Sequence, residues 1–198
     1  MCLLFESIKI SQNKICLPEF HESRMNNSRL RLFNTKEKIN FIDKIEIPEY
    51  LDYEKIYKLR ITYRKEIESV IFTEYHKRAT NSLRIVISND IDYSYKYNNR
   101  DTIIRLQLGK GDADDILIVK NNFVTDTSYA NIVFYDGTGW VTPSAPLLPG
   151  TKRAYLIKKG LLTEKEITLQ DIHTFEKACL INAFLDIEKC NEVEIYSV

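Results

Sequence analysis

Lys96-Tyr97-Asn98-Asn99-Arg100, Thr125-Asp126-Thr127-Ser128-Tyr129-Ala130-Asn131, Thr142-Pro143 and Leu148-Pro149-Gly150-Thr151-Lys152-Arg153 follow one another along the second half of the chain. They offer an amine, a carboxylate and the start of a helix. Each is ordinary alone. A lysine is usually solvated, Asp126 before Thr127 and Ser128 suits a turn, and Pro-Gly is a common loop ending. Together they meet the needs of pyridoxal 5'-phosphate (PLP): an amine for its aldehyde, an acid for its ring nitrogen and backbone donors for its phosphate.

The chemistry asks something different of each residue. Lys96 lies among Tyr93, Tyr95 and Tyr97, where partial burial would lower its pKa and release the free amine that a Schiff-base lysine needs. Asp126, facing a pyridine nitrogen, would keep that nitrogen protonated and able to accept electrons. Gly150-Thr151-Lys152-Arg153 runs straight into the apolar Ala154, Tyr155, Leu156 and Ile157. The N–H groups of Thr151 and Lys152 could donate to a phosphate at that helix start, helped by the Thr151 hydroxyl. Arg24 could close over the same phosphate, although by default it is a surface arginine on a helix.

Composition narrows the class. The 198 residues suit one domain or two small lobes, and 44% hydrophobic residues suffice for a core. The 28 basic and 28 acidic side chains cancel, so no field gathers nucleic acid or a membrane surface. Cys2, Cys16, Cys179 and Cys190 form no CxxC pair. A zinc site or disulfide framework is not expected, and a reducing, cytoplasmic setting is. Met1-Cys2-Leu3-Leu4-Phe5-Glu6 lacks a basic leader region, and no apolar run is long enough to span a bilayer. His21, His76 and His173 lack triad or metal spacing, and His21 is expected to pack or cap near the first helix. Asp112, Asp114 and Asp115 lack the calcium-loop pattern and read as a solvated loop, so no metal is expected.

The pattern predicts a strand over 1–10, a turn at 11–14 and a helix from Pro18. A short helix is expected from Pro48 through Ile56, then strands at 58–63, 70–73 and 82–87. The polar stretch Ser88–Asp92 suggests a lobe boundary, with a small α/β lobe over 1–88 and a larger cofactor-binding lobe over 89–198. Beyond it come a helix over 99–108, a strand at 116–119 turning on Asn121-Asn122, a hairpin around Asp136-Gly137-Thr138 and a helix over 151–159. Thr163-Glu164-Lys165-Glu166 fits a capping box. The fold class is α+β.

These residues resemble class IV aminotransferases, the PLP fold that includes branched-chain and D-amino acid aminotransferases and aminodeoxychorismate lyase. The resemblance covers most of the chain. Phe5-Glu6-Ser7-Ile8-Lys9 is similar to the family's "FET-I-R" strand, and His21-Glu22-Ser23-Arg24-Met25-Asn26-Asn27-Ser28 to its "H-x-x-R-L-x-x-S" helix. Lys96, Asn99 and Arg100 resemble the lyase branch most closely. Asp126 to Asn131 resembles "E-x-x-x-x-N", with aspartate for glutamate, and Thr142-Pro143 with Gly150–Arg153 resembles "TP…G-I-x-R".

The resemblance implies a two-lobed, D-amino acid aminotransferase-like fold with the cofactor between the lobes. It implies Lys96 as the Schiff-base lysine and Asp126 as partner of the ring nitrogen. Arg24, Thr151 and Lys152 would bind phosphate, with a further contact from Asn182, and Asn131 would support the cofactor turn. Lys9, Arg60 and Arg100 are candidates for the carboxylates of a small-molecule amine substrate. The activity expected is that of a 4-amino-4-deoxychorismate lyase in folate synthesis, forming 4-aminobenzoate and pyruvate in a homodimer. An aminotransferase acting on branched-chain or D-amino acids is the alternative. A non-catalytic relative, suggested by the shortened carboxylate, is the third reading.

Overall fold

The computed structural model describes residues 2–42, 44–190 and 192–196. The chain forms two compact units, Met1–Lys77 with Tyr95–Asn99, and Arg78–Ser94 with Arg100–Val198.

The first unit is an antiparallel sheet under one long helix. Strand β1 (Leu4–Ser11) turns into β2 (Lys14–Ile15), and α1 (Pro18–Phe33), β3 (Ile56–Tyr63) and β4 (Ile67–Glu74) follow, in sheet order β2-β1-β3-β4. Residue 1 of the expected first strand lies outside the described residues. Gln12 and Asn13 both take left-handed φ (52° and 51°), the two-residue turn that matches strand twist. Helix α1 starts at Pro18, whose missing N–H costs nothing there, and stops at Asn34, left-handed at φ 52°. Alternation along β1 and β3 sends Leu4, Ile8, Ile10, Leu59, Ile61 and Tyr63 into one core with Met25 and Phe33. The register leaves Phe5, Ser7 and Lys9 beside Thr62, Arg60 and Lys58 on the other face. Tyr95–Asn99 returns to β1, with Phe5 N–H donating to Lys96 O at 3.0 Å and Asn98 N–H to Leu3 O at 2.8 Å.

The helix expected from Pro48 does not form. A single turn, Leu51 N–H to Pro48 O at 3.2 Å, is followed by Asp52, whose carboxylate accepts the Glu54 N–H at 2.9 Å. That local bond competes with helix propagation.

The second unit is built on β5 (Ser82–Ile87), α2 (Asp101–Gln107), β6 (Asp115–Lys120), β7 (Phe123–Thr127), β8 (Asn131–Tyr135), β9 (Trp140–Pro143), α3 (Thr151–Lys158), β10 (Thr163–Lys165), β11 (Lys177–Ile181) and β12 (Glu194–Tyr196). The sheet order is β10-β9-β8-β7-β6-β5-β12, with β11 also paired to β8. Strands β5 and β6 run parallel, connected through α2. Because β5 sits between β6 and β12, and Tyr95–Asn99 belongs with the first unit, the partition does not coincide with a single cut after residue 88. Ile116, Leu117, Ile118 and Val119 are all fully buried, as the unbroken apolar run of β6 demands. Asn121 and Asn122 turn β6 into β7 with φ of 51° and 69°.

Three expectations are corrected here. Thr163–Lys165 is a strand parallel to β9, not a helix start: ladder bonds to 141–143 outweigh the local capping pattern. Asp115 is not in a solvated loop but fully buried at the head of β6. Cys179 and Cys190 form a disulfide with Cα atoms 5.8 Å apart, because the turn at Asn182–Leu185 folds the chain back on itself. No helix among the described residues is long and apolar enough to cross a membrane.

Candidate active site

Asp126 and Asn131 occupy the seam between two parts of the larger sheet. They face each other as the paired residues of β7 and β8. Asn131 Nδ2 donates to Asp126 Oδ1 at 2.7 Å and to Leu148 O at 2.9 Å, and Leu148 N–H donates to Asp126 Oδ2 at 2.8 Å. A closed ring of hydrogen bonds thus fixes the carboxylate to the loop that launches α3. Burial pushes the Asp126 carboxyl up to about 6, although Leu148, Asn131 and the charge of Arg153 all pull it down.

Gly150 precedes α3 and presses on this ring. A Cβ there would lie 1.9 Å from Asn131 Oδ1, so only glycine lets the helix start approach so closely. The first helical bond is Ala154 N–H to Gly150 O at 2.9 Å. The N–H groups of Thr151, Lys152 and Arg153 therefore precede the ladder, where an anion is favoured. Thr151 is buried, and Lys152 Nζ pairs with Asp186. Asn182 Oδ1 accepts the N–H groups of Phe184 at 2.8 Å and Leu185 at 3.1 Å, shaping the turn that presents Asp186. The structure thus ties the Asn182 turn to the α3 start through Lys152.

Arg100 donates to Ser128 O at 2.5 Å and so braces the turn after Asp126. Below it lies a buried network that sequence reasoning missed. Ser128 Oγ donates to Asp115 Oδ2 at 2.8 Å, and Gln107 Nε2 donates to Asp115 Oδ1 at 3.0 Å. Arg153 was also passed over. It donates to Pro143 O at 2.8 Å and to Glu164 Oε1 at 2.6 Å, joining α3 to β9 and β10. The strand-like run following Asp115 was the available signal for the first; for the second it was the arginine that closes the Gly150–Arg153 motif.

In the first unit, Lys96 is half-buried, with Nζ 4.8 Å from the centre of the Phe5 ring. Arg60 lies 3.9 Å from the same ring centre and donates to Asn98 Oδ1 at 2.8 Å. Lys9, on the Phe5 face of β1, stands directly opposite Lys58. Phe5 therefore gathers Lys96 and Arg60 around one aromatic surface. Arg24 is not a bare surface arginine. It donates Nε to Glu6 Oε1 at 3.0 Å and a terminal nitrogen to Oε2 at 2.5 Å, while His21 Nδ1–H donates to Oε2 at 2.7 Å. Burial would raise the Glu6 carboxyl, but Arg24 and His21 outweigh it and hold the group at about 2. Burial also lowers His21, against the pull of Glu6, so its ring stays neutral. Glu6 was read only as part of a strand motif.

A sequence profile for amino-transferase class IV matches residues 3–193. An uncharacterised protein of Haemophilus influenzae is 36% identical over 183 residues, 91% of this chain and 96% of its own length. A solved Haemophilus somnus protein, provisionally described as a 4-amino-4-deoxychorismate lyase, is similar at 30% identity with a TM-score of 0.84, covering 92% of this chain and 96% of that one. A hypothetical aminotransferase of Mycobacterium tuberculosis, in its PLP-bound form, shares the fold at 15% identity and a TM-score of 0.74, over 98% of this chain and 81% of that one. The chain belongs to the class IV aminotransferase family, and its mixed helix-and-sheet architecture is that family's fold. That membership makes it an enzyme of the PLP-dependent class.

Proposed function

We propose that this protein is a PLP-dependent 4-amino-4-deoxychorismate lyase, forming 4-aminobenzoate and pyruvate. The observation that carries the choice of reaction is the 30% identical Haemophilus somnus relative, which bears that description over nearly the whole of both chains. The Lys96-x-x-Asn99-Arg100 element agrees with it.

The residues present fit the cofactor. A buried carboxylate held in a hydrogen-bonded ring stands beside a helix start that only glycine allows to come so near. When bound, PLP supplies an electron sink for charge developing on the substrate. Asp126 would hold the proton of the ring nitrogen, with Asn131 keeping one carboxylate oxygen in place and the Leu148 N–H the other. The N–H groups of Thr151 and Lys152, the Asn182 turn and the Arg24 guanidinium would bind the phosphate. Lys96 Nζ would hold the aldehyde at rest, then take the proton from the ring carbon that bears the substrate nitrogen. Lys9 and Arg60 would meet the substrate carboxylates. Arg100 would join them with donors other than the one bracing Ser128.

Pyruvate released from 4-amino-4-deoxychorismate without any added keto acid is the expected result. Release that depends on a keto acid would overturn the lyase in favour of an aminotransferase on branched-chain or D-amino acids. Failure to acquire borohydride-reducible visible absorbance with PLP would favour a non-catalytic protein. Lys96→Ala should remove that absorbance, and its persistence would refute the role of Lys96. We place the enzyme in the cytoplasm as a homodimer; sedimentation as a monomer at micromolar concentration would count against the dimer.

A further inference from the structure

Glu6 has no solvent exposure, His21 is 1% exposed, and the Arg24 side chain is 14% exposed. The ionic cluster is therefore sealed except along the Arg24 side chain. Burying a carboxylate costs several kcal/mol, and apolar residues of similar shape often give equal stability. Stability alone therefore does not account for a carboxylate at this position. Both Glu6 oxygens are engaged, Oε1 by Arg24 Nε, and Oε2 by Arg24 and His21 together. An arginine otherwise free to sample many rotamers is so restricted to one.

We propose that Glu6 and His21 are positioning residues that hold the Arg24 guanidinium in one orientation for the phosphate dianion of the cofactor. The proposal rests on the phosphate role given to Arg24 above. His21 acts at one remove: its Nδ1–H pins Glu6 Oε2, so that the carboxylate plane cannot rotate away from the guanidinium. Two effects oppose each other when Glu6 is lost. The arginine loses its orientation, which weakens a geometry-dependent, charge-assisted bond. It also loses a neighbouring negative charge, which strengthens its field at the phosphate. Positioning predicts that the first effect wins.

The test compares the affinities of PLP and of pyridoxal, which lacks the phosphate, by spectroscopic titration of wild type, Glu6→Gln and His21→Gln. Wild type should favour PLP strongly. The preference should fall about tenfold in Glu6→Gln, the scale of one charge-assisted hydrogen bond. It should fall about threefold in His21→Gln, which leaves both charges in place. A purely structural role would weaken both ligands alike and leave the ratio unchanged. An unchanged ratio, or one that rises as the guanidinium is unmasked, overturns the proposal. If Glu6→Gln does not fold, the His21→Gln ratio decides alone. A wild type that binds both ligands equally removes the phosphate role of Arg24 itself. A strong wild-type preference kept in the variants removes only the positioning.

Discussion

Asp126 and Glu6 are two buried carboxylates pushed in opposite directions by their partners. Asp126 is paired with neutral amides, so burial dominates and its pKa rises from 3.8 to about 6. Glu6 is paired with a guanidinium, so its pKa falls from 4.5 to about 2. The consequences for stability have opposite sign. The Asp126 contribution is fully present below about pH 4 and is lost as pH rises through 6. The Glu6 contribution is present above about pH 4.5 and is lost as pH falls towards 2. Each is worth about 3 kcal/mol. Urea denaturation of the cofactor-free protein should therefore show Asp126→Asn losing less stability than wild type between pH 4 and 6. Equal losses in the two proteins would mean that Asp126 titrates normally. In the cofactor-free protein the ionised form that the role of Asp126 needs is populated as pH rises through about 6. Asp126→Asn should retain PLP yet lower kcat by about a hundredfold, the scale of losing one preorganised electrostatic contact, and unchanged turnover would refute its ring-nitrogen role.

At the scale of elements, turn chemistry and apolar period agree with each other. Gln12-Asn13 and Asn121-Asn122 both make left-handed hairpin turns, and β1 and β3 alternate as half-buried strands should. Where a local signal lacked tertiary support it failed, as at Pro48 and Thr163. The loop between β9 and α3 is constrained at its last residue. Gly150→Ala would force a methyl group onto Asn131 Oδ1. About 2–3 kcal/mol of stability should be lost on thermal unfolding, the cost of overpacking a buried site. A shift below 0.5 kcal/mol would mean that the loop yields. The link between Cys179 and Cys190, 11 residues apart, closes the loop that carries Asn182 and Asp186. Reduction, or Cys190→Ser, should cost about 2–3 kcal/mol, read from denaturant midpoints with and without reductant.

Across the whole molecule, a ligand that binds only the folded chain must stabilise it. PLP at a hundred times its dissociation constant should add about 2.7 kcal/mol to unfolding, visible as a raised Tm, and Lys96→Ala should remove most of that gain. An equal gain in the variant would locate PLP binding away from Lys96.

The sequence by itself determined the strands and turns around the candidate site, the order of Lys96, Asp126 and Gly150, and the family. These depend on short-range sterics, side-chain alternation and residue spacing, which can be read along a line. Tertiary structure alone decided the partners. It set Glu6 and His21 against Arg24, Asn131 and Leu148 around Asp126, Ser128 and Gln107 on Asp115, and Cys179 beside Cys190. Those contacts arise where separate strands, helices and turns meet, from 5 residues apart for Asp126 and Asn131 to 22 for Asp126 and Leu148. Whether a buried carboxylate is held acidic or basic depends on the charge it meets there, and no residue carries that information in its own neighbourhood of sequence.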